Sequence, residues 1–334
     1  MATFTGTAAS ETITPAFVSP TVATFGGSAP SDANDFIDAG GGRDQIDSSG
    51  GDDTVLGGGA SDTASLGAGN DRFIWNRHTV SDFDGDGDDV IDGDAGADTV
   101  EVNASFSVDN LIITAEGARV ILSRVKIGPP GFGFDGNPLL HLDIGTTENL
   151  VINAGDGPDS VSVRGALAGL IALTVNAGAG NDYLDGGDGD DVLTGGADND
   201  TVVFTGRRGD YLVTALAGGG VRVADLRPGA PDGSDTVREV ENFQFADGTF
   251  PAATVLNAAP TDITGGPLAI AENSPNGALV GTVTGQDPDG QPLAYALTDN
   301  GGGRFAIDNA GNITVANGVL LDFEQAPGTS SWRG

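Results

Sequence analysis

The chain has 334 residues, with 14 Lys and Arg against 48 Asp and Glu, a formal net charge of −34. That surplus excludes nucleic acid and anionic membranes as partners, and it makes a bare compact state repel itself, so either cations complete the fold or much of the chain stays unfolded. Gly supplies 55 residues, over twice the usual share of about 7%, while Cys is absent, which excludes disulfides and thiolate metal sites.

Residues 1–29 begin MATFTGTAASETIT, with no basic segment or apolar run of the kind that marks N-terminal export, and read as a leader with a degenerate repeat. From Pro30 the chain falls into nine-residue cells: PSDANDFID, AGGGRDQID, SSGGDDTVL, GGGASDTAS, LGAGNDRFI. Place six is Asp35, Asp44, Asp53, Asp62 and Asp71; place eight is apolar, Ile37, Ile46, Val55, Ala64 and Phe73. WNRHTVSDF breaks the pattern with Val80, and the frame resumes with Asp89 and Asp98, closing a first run over 30–102. Asp82, Asp84, Asp86 and Gly87 resemble the opening of a helix–loop–helix calcium loop, but Gly93 stands where its last Glu belongs, so a repeat turn fits better.

Residues 103–152 lack the frame. LIIT, RVILSRV, LLHLDI and NLVI predict strands that extend or cap the first run, with a loop at Gly128–Gly131. His78 and His141 are the only histidines, too few for a His-based metal or catalytic centre, and His141 lies in an apolar alternation that predicts an ordinary strand position. A second run, 153–203, carries Asp182, Asp191 and Asp200, with Asp159 in an isolated cell out of register. The apolar stretch Ala166–Val175 within it is too short to span a membrane. Residues 204–250 predict a β cap in which Phe243, Phe245 and Phe250 cover the end of the array. Within it Arg208-Gly209-Asp210 predicts an ordinary turn. From 251 to 334 the composition changes again.

Gly at places one, two and four lets the chain turn tightly, and place eight gives a short strand with one inward side chain. Two cells then close one coil of 18 residues, which stacks Asp35, Asp53, Asp71 and Asp89 on one edge and Asp44 and Asp62 on the other, before Val80 interrupts it. Asp182 and Asp200 form the equivalent pair in the second run. Two unit charges about 5 Å apart repel by roughly 3 kcal/mol at an effective dielectric near 20, so whole ladders would exceed the roughly 5–15 kcal/mol of a typical domain. A divalent cation reverses the sign. Carboxylate and carbonyl oxygens without His or Cys favour Ca²⁺ over Mg²⁺.

The cells, and above all DYLDGGDGDDVLTGGADND at Asp182–Asp200, resemble the RTX (repeats-in-toxin, haemolysin-type) calcium-binding family. The resemblance implies an all-β fold: a right-handed parallel β-roll solenoid in two runs, an antiparallel cap, and an incomplete β-sandwich at the C-terminus. It implies Ca²⁺ on Asp35, Asp44, Asp53, Asp62, Asp71, Asp89, Asp98, Asp182, Asp191 and Asp200, with turn carbonyls such as those of Gly41, Gly42, Gly51, Gly69, Gly187 and Gly189. The cell of Asp35 lacks the glycines; Ala60 and Asp198 replace one each in the cells of Asp62 and Asp200. Residues 204–250 resemble the segment that closes such arrays. Beyond 251, AIAENSPNGALVGTVTGQDPDGQPLAYAL resembles a bacterial cadherin-like repeat, which implies calcium ligands at Glu272, Asp287, Asp289, Asp322 and Glu324. Its last strands are missing at TSSWRG, which predicts partial disorder or a longer parent protein.

No HExxH, GxSxG, Cys nucleophile or Walker loop is present. The reading is a secreted, non-catalytic calcium-binding protein whose roll folds on Ca²⁺, exported by a type I system as the resemblance implies, and serving adhesion to surface or matrix molecules. The alternatives are the tail of a larger RTX enzyme and a purely structural surface module.

Overall fold

The place-eight side chains set the architecture. Ile37, Ile46, Val55, Ala64 and Phe73 are all buried, and each belongs to a strand of three to five residues with an in–out burial pattern. One apolar side chain per half-coil is enough only if the next coil covers it, so the chain stacks coil on coil. The computed structural model describes residues 1–76, 87–104, 108–125, 140–256, 260–288 and 293–322. The chain divides into two compact units, Met1–Leu256 and Asn257–Gly334.

The first unit is a roll of two long, mainly parallel sheets facing each other across that core. Strand Phe36–Gly40 pairs in parallel with Thr54–Leu56, and this with Arg72–Asn76, in one sheet; Gln45–Asp47 pairs with Thr63–Ser65 in the other. Strands within residues 1–29 pair with the roll. Thr3–Thr7 and Thr12–Thr14 are the strands of its first coil, parallel to Phe36–Gly40 and Gln45–Asp47, and Phe4 and Ile13 are fully buried. Short antiparallel strands, Ala23–Phe25 and Phe17–Val18, cover the two edges at this end.

Of the two alternatives for residues 103–152, extension is what the structure has, and it joins the two runs into one roll. Asn149–Asp156 sits in the first sheet between Thr99–Asn103 and Ala172–Ala179. In the second sheet Asn110–Glu116, Arg119–Arg124 and Leu140–Gly145 form an antiparallel meander between the parallel strands Asp88–Asp92 and Ser160–Arg164. The β-branched and Leu-rich composition of these strands buries Leu111, Ile113, Leu122 and Leu142 almost fully. Arg119 pins the meander by pairing with Asp92 and Asp143.

At the far end Tyr211–Ala215, Val221–Asp225 and Ser234–Arg238 close one sheet as an antiparallel meander, and Asn242–Phe245 with Gly248–Pro251 closes the other. Phe204, Tyr211, Phe243, Phe245 and Phe250 pack their rings together over the last coil. Arg208 packs against the Phe245 ring and is only 3% exposed, donating to the carbonyls of Tyr211 and Val255, so in the turn Arg208–Asp210 the Arg side chain is turned inward while Gly209 and Asp210 are half-buried. The second unit holds a four-stranded antiparallel sheet, in the order Thr261–Gly265, Leu279–Gln286, Asn312–Val315, Phe305–Ile307.

Coils approach so closely at the turns that side chains are excluded. A Cβ on Gly58 would overlap the carbonyl oxygen of Gly40 in the preceding coil, whereas one on Gly218, with the same φ of +93°, meets nothing within 4 Å. Gly218→Ala should therefore carry only the backbone cost, about 1 kcal/mol, and Gly58→Ala about 1–3 kcal/mol more from overpacking. Urea unfolding of the two variants checks this; equal losses would contradict the close stacking of coils.

Candidate metal centre

Each place-six Asp stands one residue before its strand, except Asp89, which is the second residue of Asp88–Asp92. The Asp35 amide donates to Oδ1 of Asp53 (2.6 Å), that of Asp53 to Asp71 (2.7 Å), that of Asp71 to Asp98 (2.8 Å), and that of Asp98 to Oε2 of Glu148 (2.8 Å). On the opposite edge the amide of Glu11 donates to Asp44 (2.6 Å), Asp44 to Asp62 (2.8 Å) and Asp62 to Asp89 (2.8 Å). Past the inserted meander this second column resumes through Asp109, Asp159, Asp182, Asp200 and Glu241, at 2.7–2.9 Å per link. The first column resumes with Asp191, whose amide donates to Asp235 at 2.9 Å.

The place of Asp89 differs from the expectation. It continues the edge of Asp44 and Asp62, and Asp71 is followed by Asp98, in both cases 27 residues on instead of 18. Each of these links spans nine residues more than a coil, so Asp89 and Asp98 stand on the edges opposite to those the nine-residue frame predicts; the cell around Val80 lies outside the described residues. Asp159, read as out of register, is in register: its links span 50 and 23 residues because the connections lengthen while the strands stay paired.

Sequence reasoning missed Glu11, Asp109, Glu148, Asp235 and Glu241, all in the columns. Each keeps a fragment of the repeat, an acid followed two residues later by a buried apolar side chain: Ile13, Leu111, Leu150, Val237 and Phe243. A search for that three-residue pattern, without the glycines, would have found them.

The second carboxylate oxygen is the chemically telling one. Oδ2 of Asp44, Asp53, Asp62, Asp71, Asp98, Asp159, Asp182, Asp191 and Asp200 is buried and meets no hydrogen-bond donor among the described residues. Place-one glycines leave it room: a Cβ on Gly57 would lie 2.9 Å from Oδ2 of Asp62, and one on Gly93 2.7 Å from that of Asp98. Burial first, then neighbouring acids in or beside the column, pushes these carboxyls up against the opposing pull of the amide hydrogen bonds. Asp44, Asp53, Asp98 and Asp200 rise to about 6, Asp191 to about 7 and Asp62 and Asp159 to about 8. A buried hard oxygen without a donor is costly unless a cation takes it. The donor set is oxygen alone, which fits Ca²⁺. No group of three or more acid, His or Cys side chains converges among the described residues, so a cation here would need other oxygens, such as backbone carbonyls, to complete its ligands.

The columns have breaks that show what satisfies them otherwise. Asp35 ends the first column with both oxygens bonded, Oδ1 by the amide of Ala2 and Oδ2 by that of Ser31 (3.1 Å). Asp109, fully buried, pairs with Arg124, so the inserted meander provides its own cation at that rung. Ile171 stands where the first column would carry an acid, next to Glu148. Among the expected turn glycines, Gly42, Gly51, Gly69, Gly187 and Gly189 have positive φ, and Gly41 lies in a parallel bridge with Gly59.

In the second unit Glu272 and Asp322 line one cleft of about 610 Å³ together with Arg304. Asp287 directly follows the strand Leu279–Gln286 and is not part of that lining. Asp289 and Glu324 lie outside the described residues, as do His78, Asp82, Asp84 and Asp86. His141 is a half-buried position of strand Leu140–Gly145.

Strands stacked in parallel around a two-sheet core, with acids in columns at the turns, define a β-roll solenoid. The RTX calcium-binding nonapeptide repeat family matches the chain in four copies, at residues 31–64, 47–74, 83–104 and 174–202. The chain thus carries the repeats of an RTX, haemolysin-type calcium-binding protein, a non-catalytic repeat type that binds Ca²⁺. No curated protein matches it. Among the described residues no helix is long and apolar enough to cross a membrane.

Two outcomes follow from the columns. Asp53→Ala removes both a donorless oxygen and the acceptor of the Asp35 amide, and should raise the Ca²⁺ concentration for half-maximal sheet formation on the order of tenfold. Asp38→Ala, on the outer face of strand Phe36–Gly40, should leave it unchanged. Titration with circular dichroism reads both. The second concerns pH. Carboxyls raised from 3.8 to about 6–8 stabilise the metal-free roll below about pH 4, and that contribution is lost as pH rises to about 8. In chelator, acidification from pH 8 should therefore increase sheet content. In millimolar Ca²⁺ it should decrease it, because protons compete for the same oxygens. The same direction under both conditions would refute the assignment.

Proposed function

We propose that this is a secreted bacterial calcium-binding protein whose roll closes when it meets Ca²⁺ outside the cell. The observation that carries the reading is the pair of columns of buried carboxylate oxygens without donors. Ca²⁺ is assigned to Asp44, Asp53, Asp62, Asp71, Asp89, Asp98, Asp182, Asp191 and Asp200, with turn carbonyls of the glycine cells completing each site. Asp35, whose oxygens are already bonded, is at most an end ligand.

Where free Ca²⁺ is scarce, repulsion within the columns keeps the chain extended and suited to passage through a type I exporter. Outside, site affinities of about 10⁻⁴–10⁻³ M suffice. RTX repeat proteins are typically secreted. The buried place-six acids of the roll are committed to the columns, which supports a non-catalytic role. The second unit, with its cadherin-like sequence, supports adhesion to cell-surface or matrix molecules, and Glu272, Asp287, Asp289, Asp322 and Glu324 are its proposed calcium ligands.

Beads coated with the full chain test the adhesive role. They should cluster or attach to the producing cells in millimolar Ca²⁺ and disperse in chelator. Attachment that ignores Ca²⁺, or no attachment while the roll is folded, would contradict it.

A further inference from the structure

We propose that Glu11, which lies outside the residues matched by the repeat family, joins Asp44 in a calcium site at the N-terminal end of the roll. The inference rests on the reading of the columns as cation sites, and it concerns a carboxylate that neither the glycine pattern nor the family match includes.

The segment Gly6–Thr14, GTAASETIT, is a repeat cell stripped to its essentials. Gly6 holds place one, Glu11 place six and Ile13 place eight. Ile13 is fully buried and Glu11 is 3% exposed. The amide of Glu11 donates to Oδ1 of Asp44 at 2.6 Å, the same link that joins Asp44 to Asp62. A Cβ on Gly6 would lie 3.1 Å from Oε2 of Glu11, as a Cβ on Gly57 would lie 2.9 Å from Oδ2 of Asp62.

Hydrogen bonding separates Glu11 from an ordinary capping acid. Its Oε1 accepts from the amide and hydroxyl of Thr7, but its Oε2 is buried and meets no donor among the described residues, and nor does Oδ2 of Asp44. Asp35 at the same end of the other column shows the contrast, since its second oxygen is bonded by Ser31. Two buried carboxylates, each with an oxygen left over, call for a divalent hard cation. A cation there would fasten strands Thr3–Thr7 and Thr12–Thr14 to the second coil, and so make the N-terminal cap calcium-dependent.

The test uses the full chain and its Glu11→Gln variant, which keeps a carbonyl oxygen for Thr7 but removes the charge. Bound Ca²⁺ is counted at saturation by equilibrium dialysis and metal analysis, and amide hydrogen exchange is read in both. The variant should bind one ion fewer, and Ca²⁺ should no longer protect residues 2–14, while protection of residues 183–203 stays at the wild-type level. An unchanged ion count with full protection of residues 2–14 would make Glu11 a hydrogen-bonded cap and overturn the proposal alone. A wild-type chain that binds no Ca²⁺ would overturn the column reading with it. Loss of protection at 183–203 in the variant would show an effect on the whole roll and would likewise contradict a local end site.

Discussion

The structure depends on one contact repeated from coil to coil: an acid accepts the backbone N–H of its neighbour with one oxygen and buries the other. The first half of that contact sets register, because every amide in a column has one acceptor and the strands that follow must pair accordingly. The second half creates the demand for metal. Burial withholds water from the leftover oxygen, and neighbouring acids add repulsion. The roll is therefore held together sideways by place-eight side chains and lengthwise by amides, and in both columns it is left short of positive charge.

The inserted meander shows how the chain avoids that demand locally. Its strands are longer than those of the repeat cells, they bury Leu and Ile side chains instead of single place-eight residues, and Arg124 neutralises Asp109 directly. At the far end Arg227 does the same among Asp225 and Asp232, where it holds the Asp225 carboxyl down despite burial. Positive charge within the roll is concentrated where the nine-residue cell is absent, and the cells themselves carry only Arg43 and Arg72. That division is the physical meaning of the net charge of −34.

Much of this was legible in the sequence because the cell is short and its demands are local. The left-handed turns needed Gly, and the core needed one apolar residue every nine. The strands of 103–152 were legible as well, from β-branched alternation. What the sequence hid was the edge each acid occupies. Position in a solenoid accumulates, so nine residues in excess of a coil between Asp62 and Asp89, and between Asp71 and Asp98, moved Asp89 and Asp98 to the other edge without disturbing their cells. The acids without glycines were hidden for a different reason. At Glu11, Asp235 and Glu241 the cell keeps at most one of its glycines, Gly6 or Gly233, so little but the acid and its apolar follower remains.

The most direct test of the account is far-UV circular dichroism of the whole chain in chelator at pH 8, followed by Ca²⁺ addition. The account predicts a largely disordered spectrum that converts to sheet as the columns fill, and returns when Ca²⁺ is withdrawn. A complete sheet spectrum in chelator, unchanged by Ca²⁺, would show that the buried oxygens need no cation and would contradict it.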